Sequence, residues 1–90
     1  MDTKSVTGAQ ALVTCLELEG VTHVFGLVGS QILEILDVLC GSSVRYIGVR
    51  NEQAAGLMAE GFARAGRRIG VCMAQAGPGA TNLLTGVASA

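Results

Sequence analysis

Residues 48–66 read Gly-Val-Arg-Asn-Glu-Gln-Ala-Ala-Gly-Leu-Met-Ala-Glu-Gly-Phe-Ala-Arg-Ala-Gly, and this stretch decides the fold. Val44 to Val49, which leads into it, is β-branched and aromatic enough to form a short buried strand. Asn51 suits a helix N-cap, and beyond it Ala55, Met58, Ala59, Phe62 and Ala65 recur at helical spacing. Gly66 then occupies the place of a left-handed glycine that stops the helix. A strand therefore runs straight into a helix, with Glu52 at the junction. Open α/β sheets bind ligands at the carboxyl ends of their strands, so this carboxylate stands where a ligand would lie. The plainer reading is that Glu52 only complements the positive end of the helix dipole. A second stripe adds weight to the first reading. Glu52, Ala55, Gly56, Ala59 and Ala63 share a face, and side chains this small let another backbone approach closely.

Working outward, Thr7 or Ser5 caps a first helix whose apolar side is Ala9, Leu12, Val13, Leu16 and Leu18, ending at Gly20. Val21 to Val28 reads as a strand, and Gly29-Ser30 opens a helix with Ile32, Leu33, Ile35, Leu36 and Leu39 inward, ending near Gly41. Downstream, Ile69 to Ala74 is a third strand, and Gly77-Pro78-Gly79 turns the chain into a last helix from about Ala80. Strands alternating with helices imply parallel pairing through right-handed crossovers. Runs such as Val-Phe-Gly-Leu-Val and Val-Cys-Met-Ala are apolar on both faces, as covered parallel strands are. The expected class is α/β, an incomplete open parallel sheet with helices on both faces. Three strands make a thin sheet, and the closing Val-Ala-Ser-Ala lies inside a helical pattern. Residues 1–90 are accordingly expected to be the amino-terminal part of a single domain, with no linker or repeat within them.

Composition narrows the function classes. Ninety residues, half hydrophobic and 14% charged, suit a small packed domain and argue against disorder. A net charge of −1 without a basic stripe gives no footprint for nucleic acid. Cys15, Cys40 and Cys72 are odd in number and widely spaced, which predicts free thiols in a reducing compartment. The opening Met-Asp-Thr-Lys-Ser lacks the order of a signal peptide. Residues 69–90 carry no charge, yet Gln75, Pro78 and Asn82 interrupt them, so a strand, a loop and a buried helix fit better than a membrane span. The expected location is the cytoplasm, with an organelle as the alternative.

The three strand ends carry unusual loops: residues 26–31, residues 50–52 around Glu52, and residues 75–82 with Gly77-Pro78-Gly79. In a parallel sheet they share one edge, where glycines admit a ligand close to the backbone and helix starts offer free N–H groups. A dinucleotide site is the first test, because Glu52 follows Gly29 by about the distance of a ribose-binding acid. Val28 and Gln31 break the required glycine pattern, however, and the Gly-Pro-Gly loop would have no role.

Taken together, Gly20-Val21 through Phe25-Gly26, the Gly29 loop, Arg50-Asn51-Glu52-Gln53-Ala54-Ala55, Glu60-Gly61-Phe62-Ala63-Arg64 and Gly77-Pro78-Gly79-Ala80-Thr81-Asn82 carry a resemblance. The chain resembles the start of the pyrimidine-binding (PYR) domain of thiamine-diphosphate enzymes of the acetolactate synthase and pyruvate oxidase superfamily, over nearly its whole length. The resemblance implies that Glu52 matches the glutamate whose carboxyl hydrogen-bonds the cofactor's aminopyrimidine ring nitrogen and favours its imino tautomer. It implies that Pro78 and Asn82 contact the pyrimidine, that Gly29 borders the reactive end, and that Ser30, Gln31 and Gln75 lie toward the substrate. It further implies a carbon–carbon lyase, ligase or decarboxylase acting on a small 2-keto acid or a 2-hydroxyacyl- or oxalyl-CoA substrate. The cofactor would lie between two subunits of a homodimer or homotetramer, and the small-residue face would be pressed against that partner, shielding the carboxyl. His23, at the opposite end of its strand, is expected to pack rather than to catalyse.

Two departures divide the substrate reading. Val28 replaces the proline of the family's Gly-x-Pro-Gly, and Asn51 replaces its usual histidine; both resemble the 2-hydroxyacyl-CoA lyase and oxalyl-CoA decarboxylase branch. Gly-Pro-Gly-Ala-Thr-Asn resembles acetolactate synthase instead. The diphosphate is held through Mg2+ by a later Gly-Asp-Gly…Asn motif in the family, and nothing in residues 1–90 matches it. No metal ligand is therefore expected here, and the chain alone is expected to be inactive. The rival readings are a non-catalytic α/β binding domain and a Rossmann-like nucleotide-binding domain.

Overall fold

The structure is a computed structural model and describes residues 6–29, 32–75 and 77–90. Helix α1 (Gly8–Leu18) starts at a capping box: Gln10 N–H donates to Thr7 Oγ1 at 3.1 Å, and Gln10 Oε1 accepts from Thr7 N–H at 3.0 Å. Thr7 is thus the cap; Ser5, its alternative, lies outside the described residues. The chain continues through β1 (His23–Gly26), α2 (Leu33–Cys40), β2 (Arg45–Gly48), α3 (Glu52–Gly66), β3 (Val71–Met73) and α4 (Pro78–Ser89). All three strands are parallel in the order β2-β1-β3, and Gly26 is level with both Gly48 and Met73.

Alternation along β1 divides the core between two faces. Val24, 1% exposed, points with Val13, Val21, Leu39 and Val44 into the layer formed with α1 and α2. Phe25 points the other way, onto Ala55 and Ala59 of α3, with Leu83 of α4 closing over them. Helices on both faces of a three-stranded parallel sheet are what the apolar runs predict. The sheet is narrower than the helical stripes, so their flanks turn out to solvent. Leu18 is 80% exposed and Leu12 41%, and Leu33, Met58 and Ala65 are also exposed rather than inward.

Helix boundaries differ from the expected ones: α2 starts at Leu33, after its cap Ile32, and the end of α3 and the start of α4 are also displaced. Gly66 remains helical, and the left-handed residue is Arg67 (φ 52°, ψ 47°), whose N–H donates to the Ala63 carbonyl. The reason lies downstream. At Gly70 an added Cβ would overlap the carbonyl of Ala59, so the chain must return past α3 at that residue, and the turn falls one position later than Gly66. Helix α4 begins at Pro78, not Ala80. Gly77 takes φ 78°, ψ −130°, a conformation open to glycine, and Pro78 fills the first helical position where no N–H is needed.

Phe62 closes the amino-terminal edge of the sheet. Its ring centroid lies 5.1 Å from that of His23 and 5.7 Å, edge-on, from that of Phe25, with the Arg68 guanidinium 5.8 Å above it. His23 packs here, at the end of β1 remote from the glycine loops. All three cysteines are free thiols. Cys15 and Cys40 are exposed, whereas Cys72 is half-buried and burial pushes its thiol up from its ordinary value. No helix among the described residues is long and apolar enough to cross a membrane.

Gly61 provides a test of how α3 is stabilised. It lies on the exposed face in mid-helix, without a positive φ, and nothing approaches within 4 Å of an added Cβ. Gly61→Ala should therefore stabilise α3 by about 0.5–1 kcal/mol, since only backbone freedom of the unfolded chain changes. The measurement is slower amide exchange through the middle of the helix.

Candidate functional site

Because β1, β2 and β3 are parallel and end level, their three exit loops share the carboxyl edge of the sheet. The loop after β2 is the shortest. Val49 N–H donates to the Gly26 carbonyl at 2.9 Å, extending the β1–β2 pairing one residue past the strand. Asn51 then turns extended (φ −152°, ψ 159°) and its Oδ1 accepts from Ala54 N–H at 2.8 Å, so α3 starts at Glu52. Asn51→Ala should cost about 1 kcal/mol of α3 stability, appearing as faster exchange at Ala54, while Asn51→Asp retains most of it.

Glu52 is held by a second element. Its Oε1 accepts a hydrogen bond of 3.2 Å from Asn82 Nδ2 on α4, in a half-buried setting. Its Oε2 lies beside Gly79, 3.4 Å from where a Cβ on that residue would sit. Pro78 and Asn82 are four residues apart and share a face of α4; Pro78 is exposed at its first turn. The carboxylate still complements the dipole of α3, but Asn82 fixes its direction across two helices, which a simple cap does not require.

Gly29 meets Gln75 rather than Glu52. A Cβ at Gly29 would overlap the Cγ and Cδ of Gln75, so the loops after β1 and β3 are in intimate contact. Ser30 and Gln31 lie outside the described residues. Among the described residues no group of three His, Cys, Asp or Glu side chains could hold a metal ion. An open cleft of about 420 Å³ runs between α1 and the end of α2, past Gln10, Thr14, Glu17 and Ser42; it is on the face of the sheet away from α3 and lacks the loops' convergence.

The small-residue face of α3 requires a correction. It does not wait for a second subunit, because α4 of the same chain occupies it. Gly86 packs on the backbone of Gly56, so close that a Cβ on Gly86 would stand 2.6 Å from Gly56 Cα. Gly79 and Gly86 are seven residues apart on α4 and match the α3 stripe, a spacing visible in the sequence that marks two helices in backbone contact. Gly79, part of the Gly-Pro-Gly turn in the sequence, also stands beside Glu52.

Residues 6–90 match the family model described as thiamine pyrophosphate enzyme, N-terminal TPP binding domain. The chain is 49% identical over 83 residues to the "Probable acetolactate synthase large subunit" of Methanocaldococcus jannaschii, covering 92% of this chain and 14% of that protein. It is 46% identical over 85 residues to acetolactate synthase isozyme 2 large subunit of Escherichia coli, covering 94% and 16% respectively. It is 45% identical over 87 residues to the "Probable 2-ketoarginine decarboxylase" of Pseudomonas aeruginosa, covering 97% and 16%. The chain thus spans 14 to 16% of the length of these relatives. With the family model matched from residue 6 to residue 90 and the α/β fold its motifs imply, the chain belongs to the family of N-terminal TPP-binding domains of thiamine pyrophosphate enzymes.

Proposed function

We propose that this chain is the amino-terminal part of the PYR domain of a thiamine-diphosphate enzyme that makes or breaks a carbon–carbon bond beside the carbonyl of a 2-keto acid. The observation that carries the proposal is the Glu52–Asn82 pair beside Gly79 at the carboxyl edge. Asn82 donates to Oε1, so a proton on Glu52 belongs on Oε2, the oxygen beside Gly79. A carboxyl with one oxygen anchored and the other free can share a proton with a weakly basic ring nitrogen, which fits the pyrimidine of the cofactor. Pro78, exposed on the same face as Asn82, would border that ring, and Gly29 with Gln75 would line the neighbouring loop. Bound thiamine diphosphate would supply a thiazolium carbon able to add to a keto group.

The residues present fit the pyrimidine end of the cofactor and not its charged end. Mg2+ takes oxygen ligands, usually carboxylates and phosphates, and no cluster among the described residues could hold a metal ion. Those ligands would come from elsewhere in a longer protein, as would a second subunit against the exposed Leu57, Leu84 and Val87. We therefore expect the isolated ninety-residue chain to neither retain the cofactor nor turn over pyruvate; measurable turnover would refute this division of labour.

The relatives' names favour a 2-keto acid over an acyl-CoA. They are acetolactate synthases and a 2-ketoarginine decarboxylase, and Asn51, one of the two residues resembling the acyl-CoA branch, has a local reason to be asparagine as the cap of α3. The test is turnover of pyruvate by the intact protein with saturating thiamine diphosphate and Mg2+, against the same assay without cofactor. Turnover that ignores the cofactor would overturn the thiamine-diphosphate reading, and none with any 2-keto acid would leave a non-catalytic binding domain as the better one.

A further inference from the structure

Two glycines on one side of β1 and its exit loop bring the end of β1 against β3. At Gly26 an added Cβ would stand 2.7 Å from the Met73 carbonyl and 3.1 Å from the Tyr46 hydroxyl, so Gly26 leaves room for the Tyr46 ring beside β3. Three residues on, Gly29 receives the side chain of Gln75: a Cβ there would overlap its Cγ and Cδ and come within 2.5 Å of its Oε1. Gly29 has no positive φ, so glycine is required by this contact and not by backbone strain. Gly29 is also structurally committed. Its carbonyl accepts from Ile32 N–H at 3.1 Å, the turn that leads into α2, and Ile32 is buried at 6% exposure.

We propose that Gln75 is a positioning residue: packed on Gly29, it holds the loop after β1 at a fixed distance from the Gly77-Pro78 turn, and so sets the room for substrate between the two loops. A half-buried side chain wedged onto main chain can transmit a displacement in either direction, because protein interiors are close-packed. Shortening Gln75 leaves a gap that Gly29 can enter. Enlarging Gly29 pushes the loop away unless Gln75 is shortened too. The inference rests on the reading of this edge as the place where a 2-keto acid and thiamine diphosphate meet.

The experiment is a double-mutant cycle in the intact protein, with Gly29→Ala, Gln75→Ala and the pair. Amide exchange at Ile32 reads the loop without reference to activity. Gly29→Ala alone should speed that exchange and raise the KM for pyruvate by about tenfold each, whereas in the Gln75→Ala background it should add less than about twofold. Gln75→Ala alone should raise KM several-fold, with kcat and thiamine diphosphate affinity changed by less than about twofold. Equal effects of Gly29→Ala in both backgrounds would overturn the proposal, as would a Gln75→Ala variant that loses kcat at unchanged KM. If the intact protein uses no 2-keto acid, the functional reading falls, and the exchange cycle alone decides whether Gln75 holds the loop. Should Gly29→Ala not fold alone, recovery of a folded protein by the pair supports the coupling, and failure of the pair with Gln75→Ala folded refutes it.

Discussion

Glu52→Gln in the intact protein should lower turnover by about 10²–10⁴-fold while leaving the fold and cofactor affinity nearly unchanged. Glutamine preserves what the structure asks of Oε1: its amide oxygen can still accept from Asn82 Nδ2, now at 3.2 Å from the carboxylate. It also preserves volume at the start of α3, beside the space left by Gly79. What it removes is a carboxyl oxygen able to take up and give back a proton. An amide can donate a hydrogen bond to a ring nitrogen, but it can neither give up nor receive a proton near neutral pH. Binding and catalysis should therefore separate: thiamine diphosphate affinity within a few-fold of wild type, and proton exchange at the reactive carbon of the bound cofactor slowed along with turnover. Losing the negative charge from the first turn should cost α3 only a few tenths of a kcal/mol to about 1 kcal/mol. Glu52→Ala should do more damage to structure, because Asn82 loses its acceptor in a half-buried site. Unchanged activity in Glu52→Gln would return the residue to the role of a helix-end charge.

The layered architecture was legible because each strand is an apolar run and each loop on the carboxyl edge carries glycine. Val24 and Phe25 show why: adjacent residues, both apolar, are buried on opposite faces. Glu52 could be singled out for the same reason, as the acid at a strand end. Its partner could not. Whether Asn82 reaches Glu52 depends on how closely α4 approaches α3, and that distance is set by Gly56 and Gly86 through main-chain contact. The left-handed turn at Arg67 was hidden in a similar way. Local preference assigns it to Gly66, and the position of Gly70 under Ala59 overrides that preference from four residues further on. The exposure of Leu12 and Leu18 shows the converse limit, since periodicity marks a stripe without saying how wide a sheet lies beneath it.

That dependence of the site on helix spacing can be tested at its tightest point. Gly86→Ala should destabilise the α3–α4 pair by about 2 kcal/mol, the balance of about 3 kcal/mol of overpacking against about 1 kcal/mol of improved helix propensity. An alanine Cβ there would overlap Gly56 C and stand 2.6 Å from its Cα and 2.8 Å from its carbonyl oxygen. These are all main-chain atoms of a helix interior, so no rotamer change relieves the clash and α4 must move outward. The reciprocal change is milder. A Cβ at Gly56 would meet Gly86 Cα and the Leu83 carbonyl at 3.2 Å each, a separation the helices can accommodate by a few tenths of an ångström. Gly56→Ala should thus fall within about 1 kcal/mol of neutral, although the two glycines face each other. Amide exchange in the intact protein reads both: about thirtyfold faster opening of α4 in Gly86→Ala, and less than about fivefold in Gly56→Ala. Asn82 lies one turn before Gly86, so outward movement of α4 also draws its amide away from Glu52. Gly86→Ala should consequently lose turnover in the molecules that remain folded, whereas Gly61→Ala, on the outer face of α3, should not. Equal destabilisation by the two inner substitutions would mean that the helices separate freely, and that the carboxyl of Glu52 is held in place by something other than α4.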